Sequence, residues 1–454
     1  MSYLSSTKLK AVLAGLLVIV ILATQILTYL ELQNMRESLN EIQGELGGAN
    51  NKIEDLESRI TSLTEKMEKV ATIDDLRSIY LELSELRAHL SGLEERNSRL
   101  REAVEKLEAK VREAVEALGF PLTIRDSSGK EVLILRKPQR VVSLAPSVTE
   151  SIYYIGALDK LVGVDDFSNF PPVILEMRSR GLLKSIGGFW NPNVEVIIAL
   201  KPDLVIGVVS TPSHLVVRDV LSNYGIPVIL LGDRSLSEVI DSLIVLGLAL
   251  GRAEEAYELA WRMRYAVFEL TKLVERSSER STVAMVIWVD PIWVAGRKTW
   301  QHDLLILAGF LNVYEHVVGW QSVSPESLLT LNPSVIVLST SHGLINKDYF
   351  ISFLTSTLGE AAYRIEAVKH DMIIEFSDFY EDSLLRPSPR AVVALYALAI
   401  IAHPYLFELS DPPKRFDNKI DLISIVSPYV SNITLDVLKI LTYPEPVMLA
   451  IASS

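Results

Sequence analysis

The side chains able to do covalent or metal chemistry are few and scattered. The chain has no cysteine, which removes thiol nucleophiles, thiolate zinc sites, iron–sulfur clusters, disulfides and a lipidated N-terminal cysteine. Its seven histidines are His89, His214, His302, His316, His342, His370 and His403. None stands three or four positions from another, and no His-x-His occurs, so the clustered imidazoles of a zinc or manganese receptor are missing. His302, at the start of a helical pattern, is the strongest single candidate for a metal contact. G-x-S-x-G, H-E-x-x-H, the P-loop and G-x-G-x-x-G are all absent, and Gly187-Gly188 lacks the Gly-Lys-Ser/Thr of a phosphate loop. The pattern argues against an enzyme and points to no resident metal or cofactor.

One pattern does repeat. Glu195 opens EVIIALKP followed by DLVIG, and Glu326 opens ESLLTLNP followed by SVIVL. Proline cannot continue a helix, so each reads as a helix ending into a strand. The glutamates sit at the helix starts, where a carboxylate suits the positive end of the dipole. On spacing alone they are two ordinary helix charges.

These residues belong to a chain of 454 residues, long enough for two or three domains. Hydrophobic residues make up 49% and charged residues 22%, enough apolar content for a large core. Lys and Arg number 44 against 57 Asp and Glu, a net of −13, which argues against non-specific nucleic-acid binding. Residues 1–10 carry Lys8 and Lys10. Residues 11–30 (AVLAGLLVIVILATQILTYL) carry no charge and are long enough to cross a bilayer of about 30 Å. They predict an uncleaved transmembrane anchor with residues 1–10 in the cytoplasm and the remainder outside.

Residues 32–118 predict a coiled-coil stalk. Apolar residues three and four apart run through Leu39, Ile42, Leu46, Ile53, Leu56 and Ile60, then through Leu83, Leu86, Leu90 and Leu93, with Asn97 at a core position. The two series differ in phase, which places a rewinding or hinge within 71–82. A continuous helix over 32–118 would be about 130 Å long, a spacer that also favours self-association.

The pattern turns α/β after Gly119. VVSL (141–144), LVIGV (204–208), PVILL (227–231), VAMVIW (283–288), VIVLS (335–339) and MIIEF (372–376) read as buried, mostly parallel strands, with helical patterns at 147–157, 213–223 and 236–249. Residues 252–277 form one long helix without Gly or Pro. The domains expected are an N-terminal lobe (122–250), a bridging helix (251–278), a C-terminal lobe (279–404) and an extension (405–454). Asn432-Ile433-Thr434 in that extension is a glycosylation sequon.

Four stretches within 122–404 carry a family resemblance: RVVSLAPSVTESIYYIGALDKLVGVDDFSNFPP, IGGFWNPNVEVIIALKPDLVIG, WQSVSPESLLTLNPSVIVLS and RPSPRAVVALYALAIIAHP. In this order, with a long helix between the second and third, the chain resembles the cobalamin and iron-siderophore class of ABC-importer solute-binding proteins. The resemblance implies two α/β lobes bridged by one helix, a ligand held between them, and no catalytic residues. It implies a membrane permease with its ATPase as partners, docked through Glu195 and Glu326. It places Phe167, Phe189, Trp190, Trp293 and Trp320 at ligand-facing positions, read here as strand-to-helix loops. Asp378 and Arg386 would be polar contacts, the arginine suited to a carboxylate. A corrinoid or ferric siderophore is the expected ligand. Haem or a metal ion in a receptor of the same superfamily, and a membrane-anchored ligand sensor, are the competing readings.

Removing residues 1–118 is expected to give a soluble protein that keeps its ligand affinity, measured by fluorescence titration. Insolubility or lost binding would contradict this division of the chain.

Overall fold

A computed structural model of the chain describes residues 59, 62, 78, 81–85 and 119–442. They divide between two compact units, one of Met1–Ile124 with Leu133–Lys137 and one of Arg125–Val132 with Pro138–Ser454. The segment 11–30 expected to cross a membrane lies outside the described residues, among which no helix is long and apolar enough to do so.

Most of the expected stalk also lies outside them. In the first unit positions 81–85 are helical with Leu83 buried, as a core position of a helical seam would be. Arg59 and Glu85 form an ion pair of 3.0 Å. One straight helix would hold these positions about 39 Å apart, so they do not share a single uninterrupted rod. The rest of the stalk expected over 32–118, with most of the hinge segment 71–82, lies outside the described residues.

The second unit is built on two sheets. In the first, β1 (Val141–Ser143), β2 (Leu161–Val164), β3 (Lys184–Ser185), β4 (Leu204–Val208) and β5 (Val228–Leu231) are parallel in the order β3-β2-β1-β4-β5. β1, β4 and β5 are buried at every position. This is why their sequences are continuous apolar runs and not alternations. The helices α1 (Pro146–Tyr154), α2 (Val194–Ala199), α3 (Pro212–Ser222) and α4 (Leu236–Leu250) connect or follow them. Helix α5 (Ala253–Val274) then runs for 22 residues, about 33 Å. Gly251 at φ 65° ends α4 just before it, in the left-handed conformation that glycine adopts freely.

The second sheet comprises β6 (Thr282–Trp288), β7 (Ile292–Ala295), β8 (Leu311–Asn312), β9 (Trp320–Val323), β10 (Val335–Ser339), β11 (Ile373–Phe376) and β12 (Arg415–Phe416), in the order β9-β7-β6-β10-β11-β12 with β8 also paired to β6. It is not wholly parallel. β7 is antiparallel to both β6 and β9, with Trp288 opposite Trp293 and Ala295 opposite Trp320. Trp293 and Trp320 therefore lie on strands, not in strand-to-helix loops as expected. The reason is the tight turn at Asp290-Pro291, where Asp290 takes φ 65° and the chain doubles back.

Helices α6 (Trp300–Leu307), α7 (Pro325–Leu331), α8 (Asp378–Leu385) and α9 (Ala391–Ala402) cover this sheet and its edges. All twelve residues of α9 are buried, as suits a helix apolar on every side. Part of its cover comes from beyond residue 404. β12 joins the sheet beside β11, stacking Phe416 on Phe376 at 5.2 Å. Helix α10 (Asn432–Thr442) buries Thr434, Val437, Leu438 and Leu441 against α5 and α9. Ser431 donates to Glu269 on α5 at 2.9–3.1 Å, and Tyr154 on α1 donates to the Leu441 carbonyl at 2.9 Å. The packed core thus continues past the boundary expected at 404. The sequon's Asn432 is exposed while its Thr434 is buried.

Phe416, Val437, Leu438 and Leu441 are fully buried, and burial of such a side chain contributes about 1.5–3 kcal/mol. A chain ending at Pro404 is expected to melt well below one ending at Thr442, or to aggregate. Equal thermal midpoints would show the extension to be dispensable.

Candidate functional site

In a parallel sheet the segments that leave the carboxyl ends of the strands gather on one edge, the usual place for a ligand. Here these segments come together from both sheets. Glu150 on α1, after β1, accepts from Arg386 Nη1 (2.9 Å), from Arg390 Nε (2.9 Å) and from Arg390 Nη2. Arg386 and Arg390 belong to the stretch after β11. Asn169, after β2, accepts from Arg386 Nη1 at 2.8 Å. The Leu236 amide, after β5, donates to Asp303 on α6 at 2.7 Å. The carboxyl edges of the two sheets therefore face each other and touch around Glu150 and Asn169, with Leu236–Asp303 a further contact between the lobes.

Glu150 and Arg390 are fully buried, Arg386 is partly buried and Asn169 is exposed. Arg390 places its guanidinium 4.0 Å from the Phe170 ring centroid and 5.1 Å from that of Phe379, one ring from each lobe. Asp382 pairs with Arg386 at 2.9 Å. Burial alone would raise the Glu150 carboxyl, but Arg390 and Arg386 outweigh it and hold it below the usual carboxylate range. Asp382 goes the other way: burial raises it, against Arg386 and Arg390 and with the help of the Glu150 charge. Arg386, expected as a ligand contact, is thus committed to Glu150, Asn169 and Asp382. Its expected companion Asp378 is not among those partners. It is exposed and opens α8 at φ 53°, a strained conformation for a non-glycine residue.

Above this contact the expected aromatics separate into two kinds. Phe167 (58% exposed) and Trp190 (66% exposed) project from the loops after β2 and β3. Phe189 is half-buried, 4.6 Å from the Trp190 ring and 5.1 Å from His214. His214 fixes that turn. Its Nδ1 accepts from the Val208 amide at 3.1 Å, so Nε2 carries the proton and donates to the Phe189 carbonyl at 3.1 Å. Burial pushes this imidazole down to about 4, so it stays neutral. A side chain at Gly207 would meet the His214 ring at 3.0 Å, which explains the glycine there.

On the other lobe Trp293 (37% exposed) stands beside Trp288 (43% exposed) across the β6–β7 pair. Trp320 is only partly exposed. Its ring packs edge-on to buried Trp300 at 5.1 Å, and its indole donates to Gln301 at 3.2 Å.

Three features were missed in the sequence. Trp288 ends a strand that is otherwise apolar, so its exposed face had no local signal. Asp165, directly after β2, accepts from the Phe167 amide at 2.9 Å and from the Ser168 hydroxyl at 2.5 Å. Burial raises it to about 6. Glu381 is buried and gathers the Ser339 and Thr340 hydroxyls and the Ser341 and His342 amides, at 2.5 and 2.8 Å for the two amides. It thereby presents His342 at the edge, 3.7 Å from Asp382 and 3.8 Å from Glu381. His302 accepts from the Asn312 side chain at 3.1 Å. Among the described residues no group of three or more His, Asp or Glu could hold a metal ion.

Glu195 and Glu326 are both exposed, each the second residue of its helix, α2 and α7. Both helices cross back between parallel strands, so both glutamates lie toward the carboxyl edge of their own sheet.

A family model described as periplasmic binding protein matches residues 141–378. The uncharacterized ABC transporter substrate-binding lipoprotein YvrC of Bacillus subtilis is 30% identical over 294 residues, 64% of this chain and 88% of that protein. The vitamin B12-binding protein of Pectobacterium atrosepticum is 28% identical over 206 residues, 44% and 71% of the two chains. A crystal structure from an ABC-type Fe3+-hydroxamate transport system of Saccharomonospora viridis superposes with a TM-score of 0.50 at 25% identity, covering 64% of this chain and 99% of that one.

Replacing Glu150 with Gln is expected to cost about 3–5 kcal/mol at pH 7, because the fully buried Arg390 guanidinium loses its closest anion. The sign with pH follows from the depressed carboxyl: its stabilisation is present above the unfolded value of about 4.3 and is lost as pH falls through the folded value. The gap between wild type and Glu150→Gln in urea unfolding should therefore narrow below about pH 4. A gap that stays constant would refute the assignment.

Proposed function

The chain belongs to the periplasmic binding protein family, a non-enzymatic solute-binding component of an ABC transporter, and from this premise we propose that it captures a corrinoid or a ferric chelate between its two lobes. The observation that carries this reading is the set of exposed aromatic rings on facing carboxyl edges: Phe167 and Trp190 on one lobe, Trp288 and Trp293 on the other. A bulky ligand with a large apolar surface needs such walls and few polar anchors. The relatives named for vitamin B12 and for Fe3+-hydroxamate transport support the same two ligand classes.

The polar anchors proposed are Asp378, exposed and strained at the start of α8, and the outer face of Arg386. Glu195 and Glu326 are the proposed docking points for the permease, one on each lobe. Residues 11–30 are proposed to hold the protein to the membrane from the outside, with residues 32–118 keeping the binding lobes away from the bilayer. Tethering would keep the receptor at high effective concentration near its permease.

The test is a tryptophan-fluorescence titration of the full-length chain with cyanocobalamin, haemin and a ferric trihydroxamate. Saturable quenching by cyanocobalamin or the hydroxamate supports the reading; haemin alone would move it to a haem receptor, and none of the three would overturn it. Trp293→Ala is expected to weaken binding by about 1–3 kcal/mol with little change in thermal midpoint. Trp320→Ala should lower that midpoint as well, since Trp320 packs on Trp300. Glu195→Arg with Glu326→Arg is expected to leave ligand affinity intact and abolish uptake. Normal uptake by that double variant would remove the docking role.

A further inference from the structure

The loop after β2, residues 165–170, is held from both lobes within a few residues. Its first half is fixed to its own lobe. Asp165 accepts from the Phe167 amide and the Ser168 hydroxyl. Ser168 in turn meets the Thr149 hydroxyl at 2.8 Å, and Thr149 meets Ser143 at 2.9 Å. Its second half is fixed to the opposite lobe. Asn169 accepts from Arg386 at 2.8 Å. The Phe170 ring lies under Arg390, with Phe379 6.2 Å beyond it.

Phe167 stands inside the first anchorage, its amide held by Asp165 and its ring exposed over Gly188, where an added Cβ would lie 3.5 Å from the ring. One residue, Ser168, separates Phe167 from Asn169, at most about 7 Å of chain. Asp165 holds both the Phe167 amide and Ser168, and Asn169 follows directly, so a shift of the opposite lobe passed on by Asn169 pulls on the cap that holds Phe167.

We propose that Asn169 is a positioning residue: through its hydrogen bond from Arg386 it sets the place of Phe167 in the ligand site according to the closure of the two lobes. This rests on the reading of Phe167 as a ligand contact. The residue type suits the task. A neutral amide makes a single bond to the guanidinium where an aspartate would make an ion pair, so the tether can open and re-form. Removing it strands no charge, because Arg386 keeps Glu150 and Asp382. The Asn169→Ala variant should therefore stay folded.

The experiment uses the full-length chain with Asn169→Ala, Asn169→Asp, Phe167→Ala and the Asn169→Ala/Phe167→Ala pair. Hydrogen exchange of the Phe167 amide reads the loop without any ligand. Asn169→Ala should speed that exchange about tenfold with an unchanged thermal midpoint, and Asn169→Asp should restore it. Affinity for whichever of cyanocobalamin, haemin or ferric trihydroxamate the wild type binds should fall about tenfold in Asn169→Ala, return in Asn169→Asp, and fall no further than about twofold when Asn169→Ala is added to Phe167→Ala. Unchanged Phe167 exchange in Asn169→Ala overturns the proposal, as do fully additive losses of affinity. If the wild type binds none of the three, the functional reading fails and the exchange measurement still decides the coupling.

Discussion

Two opposite charges taken wholly out of water, Glu150 on one lobe and Arg390 on the other, set the terms for the rest of this structure. Each would cost several kcal/mol to bury alone. The carboxylate is compensated by three guanidinium N–H donors, and the guanidinium by that carboxylate and by two aromatic faces. Such a pair is not necessarily more stabilising than apolar residues of the same volume. What it does enforce is proximity, since parting the lobes there would leave both charges buried and unmatched.

That geometry divides labour among the residues on the two facing edges. Those at the contact, Asn169, Phe170, Asp382 and Arg386, are occupied with one another. Those away from it, Phe167, Trp190, Trp288 and Trp293, keep their rings in solvent. Buried acids support loops on the same edge, one of which carries Phe167. Asp165 caps the Phe167 loop. Asp233, raised by burial to about 6, accepts from the Ser210 amide at 3.2 Å and holds the turn after β4. Neutral His214 and Gly207 do the same for the Phe189–Trp190 turn.

The extension beyond residue 404 adds a second connection. Its helix α10 lies on α5, which joins the lobes in sequence, and reaches α1 through Tyr154. Tyr154 is itself beside Phe170, at 6.2 Å between ring centroids. The bridging helix is thereby held by residues that lie beyond both expected lobes in the sequence.

The strands were legible because burial on both faces writes them as unbroken apolar runs, and LVIGV and VIVLS fall at 204–208 and 335–339 as read. The long helix was legible from 22 residues free of Gly and Pro, and the paired glutamates from a repeat that places each at the second residue of its helix. Local chemistry is enough for such features. The direction of β7 and β9, the exposure of Trp288, the packing of Trp320 on Trp300 and the commitment of Arg386 to Glu150 were not legible. Glu150 and Arg390 stand 240 positions apart, and nothing in either neighbourhood marks the other. The sequence by itself determined which segments would be strands and helices, because propensity and periodicity act over a few residues. Only the tertiary structure decided which charged and aromatic side chains meet across the lobes and which are left for a ligand, because that depends on contacts between segments far apart in the chain.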